Sequence, residues 1–229
     1  MLLFGEAPII EGRFLKREKR FIGYVKLADG EQVVCHIPNT GRLTELLIPD
    51  ATVKLVYHPS PTRKTDYTMW AVEYHGVWVS IHSAKANEIV RYYLAANPDI
   101  KNLKAEVTKG KSRFDFAYMQ GDVQTFVEVK SANLVIDGVA LFPDAPTTRG
   151  QKHLGELIEL KKQGYDAQVI FVVQRNDASS FRPNVETDPV FSNLLKQAKE
   201  LGVGITALKC KIEDNEINIE TKIPIEIGS

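Results

Sequence analysis

Asp115, Glu128 and Lys130 are the residues whose types and spacing suit a metal-dependent reaction on a phosphodiester. Residues 112–119 and 124–130 each alternate polar and apolar side chains, the period of a half-buried strand. Gly121-Asp122 lies between them and suits a two-residue hairpin turn. A turn there sets the register. Asp115 falls directly opposite Glu128, and Arg113 opposite Lys130. Directly opposed side chains approach to about 5 Å, where like charges repel. Two facing carboxylates therefore call for a cation between them. Lys130 follows Glu128 by two residues and projects from the same face.

Mg²⁺ is hard and octahedral; it takes one or two carboxylates, keeps several waters and accepts substrate phosphate oxygens. Asp115 and Glu128 supply the carboxylates for Mg²⁺ or Mn²⁺, and Glu106, near the end of the preceding strand, is a third candidate ligand. A bound cation lowers the pKa of its water and neutralises charge on the phosphate. Lys130 is placed to orient that water or to stabilise the phosphorus centre. The plainer alternative is a solvated strand face on which Glu-x-Lys forms a weak ion pair. A register slip of one residue would put the two acids on opposite faces.

The surrounding pattern divides the chain near residue 83. Over 1–83 the sequence predicts strands at 9–16, 20–27, 31–37, 52–58, 68–75 and 77–82, with a short helix at 42–47. Short strands with one small helix fit a Greek-key barrel of the OB type, a fold that binds single strands and oligosaccharides. Phe21, Tyr24, Trp70 and Trp78 are candidates for base stacking, although barrel core is the better reading of them.

Over 84–229 the sequence predicts a helix at 84–96 capped by Ser83, and strands at 103–107, 112–119 and 124–130. A hairpin at 133–136 and 139–142 follows, then a helix at 150–163 preceded by Thr148. A buried strand at 166–174, a helix opened by Asp188-Pro189 and a strand at 203–208 complete the pattern. This order fits a mixed sheet flanked by helices. The fold class is α+β: a small OB-like barrel, then a mixed α/β domain.

Composition narrows the partners. The 229 residues hold 29 Lys+Arg and 29 Asp+Glu, so net charge alone does not argue for nucleic acid. The distribution leaves room for a basic groove. Bases cluster at Arg13, Lys16, Arg17, Lys19 and Arg20, and again from Lys101 to Arg113, while acids gather after Glu213. Arg149, Lys152 and His153 sit in the first turns of the helix at 150–163, where basic side chains and free N–H groups suit a phosphate. Arg17, Arg20, Arg113, Arg149, Lys152 and His153 are thus the candidate DNA contacts. The same helix start also reads as an ordinary turn with a Lys152–Glu156 pair. No apolar run approaches the roughly 18 residues of a membrane span. Met1–Pro8 lacks the basic start and long apolar stretch of a signal peptide. Cys35 and Cys210 form no disulfide framework or metal spacing, which suits a reducing cytoplasm. The oligomeric state, a homodimer included, is left open.

Short blocks then carry a resemblance. They are His36-Ile-Pro-Asn-Thr-Gly41, Ala86-Asn87, Glu106-Val107, Ser112-Arg-Phe-Asp-Phe116, Glu128-Val-Lys-Ser131, Phe142-Pro-Asp-Ala145 and Arg149-Gly-Gln-Lys-His-Leu154. In this order they resemble the sugar fermentation stimulation protein A family over essentially the full length. The resemblance implies an OB-fold domain joined to a restriction-endonuclease-like domain of the PD-(D/E)xK type. It puts the acids of that nuclease signature on Asp115 and Glu128 and its lysine on Lys130. It also implies DNA binding, with a suggested regulatory role in sugar metabolism. Three readings follow: a Mg²⁺-dependent nuclease, a non-catalytic and sequence-nonspecific DNA-binding protein, and, more weakly, an oligosaccharide-binding barrel.

Overall fold

A computed structural model describes residues 4–228, so the start of the Met1–Pro8 stretch lies outside the described residues. The first unit contains β1 (Ile9–Glu18), β2 (Ile22–Leu27), β3 (Gln32–His36), β4 (Thr52–Tyr57), β5 (Tyr67–Tyr74) and β6 (Val77–Ser80). Their order is β3-β2-β1-β4-β5-β6, and β3 closes onto β5 through parallel pairing at Cys35–Tyr67 and His36–Thr68. Five strands thereby form an OB-type barrel, and β6 extends it. Phe14, Val25, Leu55 and Met69 fill its interior. Trp70 is fully buried, as expected of core, and Phe21 remains 41% exposed.

The second unit contains α1 (Lys85–Ala95), β7 (Ile100–Lys109), β8 (Ser112–Gln120), β9 (Val123–Ala132), β10 (Leu134–Ile136) and β11 (Val139–Phe142). It continues through α2 (Thr148–Lys162), β12 (Asp166–Val173), β13 (Ser180–Pro183), α3 (Pro189–Glu200), β14 (Gly204–Glu213) and β15 (Glu216–Lys222). The main sheet has the order β15-β14-β12-β9-β8-β7. Its centre, β9, β12 and β14, is parallel, and its edges are antiparallel. Phe126, Val169 and Phe171 pack toward α2 and α3; Val127, Ile170 and Val172 pack toward α1 and the barrel's Val56 and Trp70. β12 is buried on both faces, which explains its unbroken apolar run.

Polar bonds join the units. Ser80 donates from N and Oγ to Gln174 O and Oε1, at 2.9 and 2.8 Å. Asn133 Nδ2 donates to Ser80 O, and Gln174 Nε2 donates to Ser131 Oγ at 2.8 Å. Arg175, 1% exposed, donates to Asn133 O at 2.9 Å and forks onto Asp177.

Three local expectations are corrected, and two strands are added to those expected. Residues 42–47 make a turn, because Leu43 has φ +52° and Arg17 takes the carbonyls of Gly41 and Arg42. Ser83 does not cap α1; its hydroxyl donates to Pro38 O. Thr147, not Thr148, caps α2, accepting from Gly150 N. β13 and β15 were not expected. β13 is only four residues ending in proline and depends on parallel pairing with β11. β15 lies in the acidic stretch and returns from β14 through Asp214-Asn215, both at positive φ. Among the described residues, no helix is long and apolar enough to cross a membrane.

Candidate metal centre and nucleic-acid interface

The β8–β9 hairpin turns at Gly121-Asp122, with Gly121 at φ +60°. The rungs run from Gln120–Val123 to Phe116–Val127, the expected register. Asp115 is the next residue along. There the strands part. Phe114 packs in the core under α2 and Phe116 in the core under α1, although they are two residues apart. An unbroken strand would put both on one face. β8 therefore turns over at Asp115.

That break frees Asp115 from simple face-to-face pairing. Its Oδ2 accepts from Val129 N at 2.7 Å, in the place of a backbone acceptor, and its Oδ1 accepts from Asn87 Nδ2 of α1 at 2.7 Å. Glu128 is 4% exposed. Its Oε1 accepts from Lys130 Nζ and from His153 Nδ1, each at 2.5 Å. Its Oε2 is buried and has no hydrogen-bond partner. Burial, with the Glu128 charge nearby, pushes the Asp115 carboxyl up, against the Val129 and Asn87 hydrogen bonds and the Lys130 charge. Burial also pushes Glu128 up, but His153 and Lys130 outweigh it and hold that carboxyl below its usual value. One acid is held ionised, and the other is disfavoured from ionising beside it.

A divalent cation answers both features. It would supply Glu128 Oε2 with a partner and offset the repulsion felt by Asp115. The all-oxygen pair suits a hard ion. Among the described residues, no group of three or more His, Cys, Asp or Glu is placed to hold a metal. Two carboxylates are within what Mg²⁺ needs when water and phosphate complete its shell.

The remaining expected residues divide. Glu106 is not brought to the pair. It lies at φ +56° on β7 and meets Arg113 Nε at 2.7 Å, both side chains more than half exposed. Arg113 accordingly turns outward instead of facing Lys130. Arg113, Arg149, Lys152, His153 and Lys111 border one depression beside the centre. Of these, His153 is buried and faces Glu128. Arg17 is half-buried and taken up by the loop after β3, where its guanidinium donates to Asn39 O, Gly41 O and Arg42 O at 2.8–3.0 Å. Arg20 lines a second cavity, between the two units. Asn87 is the residue that sequence reasoning passed over; its position in the Ala86-Asn87 block was the available signal.

Fold and site define the class: an OB-type barrel followed by a restriction-endonuclease-like domain with an Asp, Glu, Lys set. The family described as the SfsA N-terminal OB domain matches residues 15–81, and that described as the sugar fermentation stimulation protein RE domain matches residues 83–216. The chain belongs to the sugar fermentation stimulation protein (SfsA) family. A sugar fermentation stimulation protein homolog of Clostridium beijerinckii is 42% identical over 220 residues, 95% of this chain and 97% of the relative. A homolog of Syntrophotalea carbinolica is 40% identical over 96% of this chain and 97% of its own. The structure of Pyrococcus furiosus SfsA in complex with Ca²⁺ superposes with a TM-score of 0.87 at 33% identity, over 99% of this chain and 100% of that one.

Proposed function

We propose that this protein binds DNA and hydrolyses phosphodiester bonds at Asp115, Glu128 and Lys130 with Mg²⁺ or Mn²⁺. The observation that carries the reading is Glu128 Oε2, a buried carboxylate oxygen with no partner beside a second, half-buried acid. Asp115 and Glu128 would hold the cation. When bound, it supplies an activated water and neutralises charge developing on the phosphoryl group. Asn87 and the Val129 N–H hold the Asp115 carboxylate in place, and His153 holds Glu128. Lys130 Nζ, a compact point charge at the same carboxylate, orients the attacking water and stabilises the phosphoryl oxygens. The Ca²⁺ held by the Pyrococcus furiosus relative supports an oxygen-seeking divalent ion here.

DNA is the partner the surface favours. Lys111, Arg149 and Lys152 are exposed around the depression next to His153 and suit backbone phosphates. In this reading the barrel (1–83) helps to grip the strand and the second unit (84–229) carries the chemistry. The setting is the cytoplasm, in keeping with two buried, unpaired cysteines.

The test incubates purified protein with linear, nicked and single-stranded DNA in Mg²⁺, Mn²⁺ or EDTA. Metal-dependent cleavage that disappears in both Asp115→Ala and Lys130→Ala is expected. Cleavage that persists in both variants comes from a contaminant and removes the reading. A second reading has its own support: Lys130 already neutralises Glu128 at 2.5 Å, as a non-catalytic DNA-binding descendant would arrange. Salt-sensitive DNA binding without cleavage under any metal selects it.

A further inference from the structure

Two motif blocks play no part in that chemistry: His36–Gly41 on the barrel and Phe142–Ala145 after β11. The fold brings them together. Gly41 approaches so closely that a Cβ there would collide with Asp144 Oδ2. Asp144 Oδ2 also accepts from Arg42 N at 3.0 Å. The two loops thus form one wall of a cavity of about 370 Å³ between the barrel and the second unit. Lys130 lines this cavity, as does Asn87, which holds Asp115.

The lining states what would fit. Phe142, Pro143 and Leu141 give flat apolar surface, and Thr40, Asn87 and Asp144 give polar groups. Thr40 Oγ1, Asn87 Oδ1 and Asp144 Oδ1 have no hydrogen-bond partner among the described residues. The free oxygen of Asp144 rejects a phosphate and accepts from an amine or hydroxyl. Lys130 and Arg20, on the same lining, attract a phosphate. A group with a flat apolar body, donors on its edge and one phosphate is a nucleotide. The volume lies at the lower end of small-ligand sites, room for one such unit and none for a duplex.

Resting on the hydrolytic reading above, we propose that this cavity holds the unpaired nucleotide adjoining the phosphate presented to Lys130. The substrate is then single-stranded DNA or a frayed end, not intact duplex. Unpaired bases enter such pockets at the least cost, since stacking and pairing need not be broken.

The test is fluorescence anisotropy in EDTA, with a labelled ten-nucleotide single strand and the blunt duplex of the same sequence. Wild type is expected to bind the single strand about tenfold more tightly than the duplex. Thr40→Trp, which fills the cavity, and Asp144→Ala, which removes its acceptor, are expected each to weaken single-strand binding about fivefold or more and to leave duplex binding nearly unchanged. Melting curves confirm that each variant is folded; Thr40 is exposed, so its replacement spares the core. Equal affinity for the two DNAs, or single-strand binding untouched by Thr40→Trp, overturns the proposal. Because metal is absent, binding and cleavage separate. Single-strand preference without cleavage under any metal sinks the hydrolytic reading and keeps the cavity. Cleavage within duplex DNA, with no single-strand preference, does the reverse.

Discussion

His153 Nδ1 donates to Glu128 Oε1 at 2.5 Å, and Lys130 Nζ reaches the same oxygen at the same distance. Both donors lie on one oxygen, so the other is left bare and its direction is fixed. Partners that orient a metal-holding carboxylate in this way are typically worth 10–100-fold in metal affinity. His153→Ala is expected to weaken Mn²⁺ binding by about that factor, read by isothermal titration calorimetry. His153→Gln, which keeps a donor, is expected to recover part of the loss. Unchanged affinity in the alanine variant would mean that Lys130 alone sets the carboxylate.

The contact between Gly41 and Asp144 makes a separate prediction. A methyl at residue 41 displaces the Asp144 carboxylate, which can swing about its own side-chain torsion. The cost is then the bond from Arg42 N, and Gly41→Ala should destabilise by about 1–2 kcal/mol in urea unfolding. Asp144→Ala removes the nearer obstacle and leaves Asn39 Oδ1, which such a methyl would meet at 2.9 Å. Gly41→Ala in that background is expected to cost less, by the share that Asp144 imposes, and the cycle measures the coupling. Simple additivity would show that the two loops do not meet in solution.

What was legible in the chain follows from how far each signal reaches. The hairpin at 112–130 showed itself because alternation and a Gly-Asp turn are local, and its register holds as far as Phe116–Val127. The turnover at Asp115 was hidden. Its counterpart is a left-handed Glu106 on a neighbouring strand, and a strong acid on a strand gives no sign of that backbone. His153 looked like a phosphate contact because helix-start basic residues usually are exposed. Only packing of α2 on the sheet, 25 residues from Glu128, turns it inward. Asn87 could be seen as part of a block but not as the holder of Asp115, since α1 and β8 are joined only by the fold.

Asp188 caps α3 and ties it to α2. Its carboxylate accepts from Phe191 N and Thr147 N at 2.9 Å, and from Gln151 Nε2 at 2.9 and 3.0 Å. Burial pushes this carboxyl up, but those donors hold it below its ordinary value of 3.8. A carboxyl depressed in the folded state stabilises above its unfolded pKa, and that contribution is lost as pH falls through the folded value. Asp188→Ala should therefore cost about 2 kcal/mol at neutral pH. The gap to wild type should close progressively below about pH 4. Urea midpoints between pH 7 and pH 3 check this; a gap independent of pH would show that the charge is not what the cap uses.

Arg175 and Asp177 test whether the junction between the units is a stability element. The guanidinium is 1% exposed and forks onto Asp177 with both contacts at 2.6 Å; its third bond goes to Asn133 O. Tyr74 of the barrel lies against it, 5.1 Å from the ring centre. Asp177→Ala leaves a buried positive charge with one carbonyl, a ring and the charge of the Glu45 carboxylate nearby, with no hydrogen-bonded acid. Removing one partner of a buried pair costs about 3–5 kcal/mol, because the surviving charge is uncompensated. Asp177 keeps some solvent contact, so the low end of that range is expected. The Lys162–Glu159 pair provides the comparison: it is also short, at 2.7 Å, but more than half exposed on both sides. Lys162→Ala should change stability by under about 1 kcal/mol. If the two variants unfold at the same urea concentration, Arg175 does not hold the barrel against the sheet, and the shared apolar core alone does.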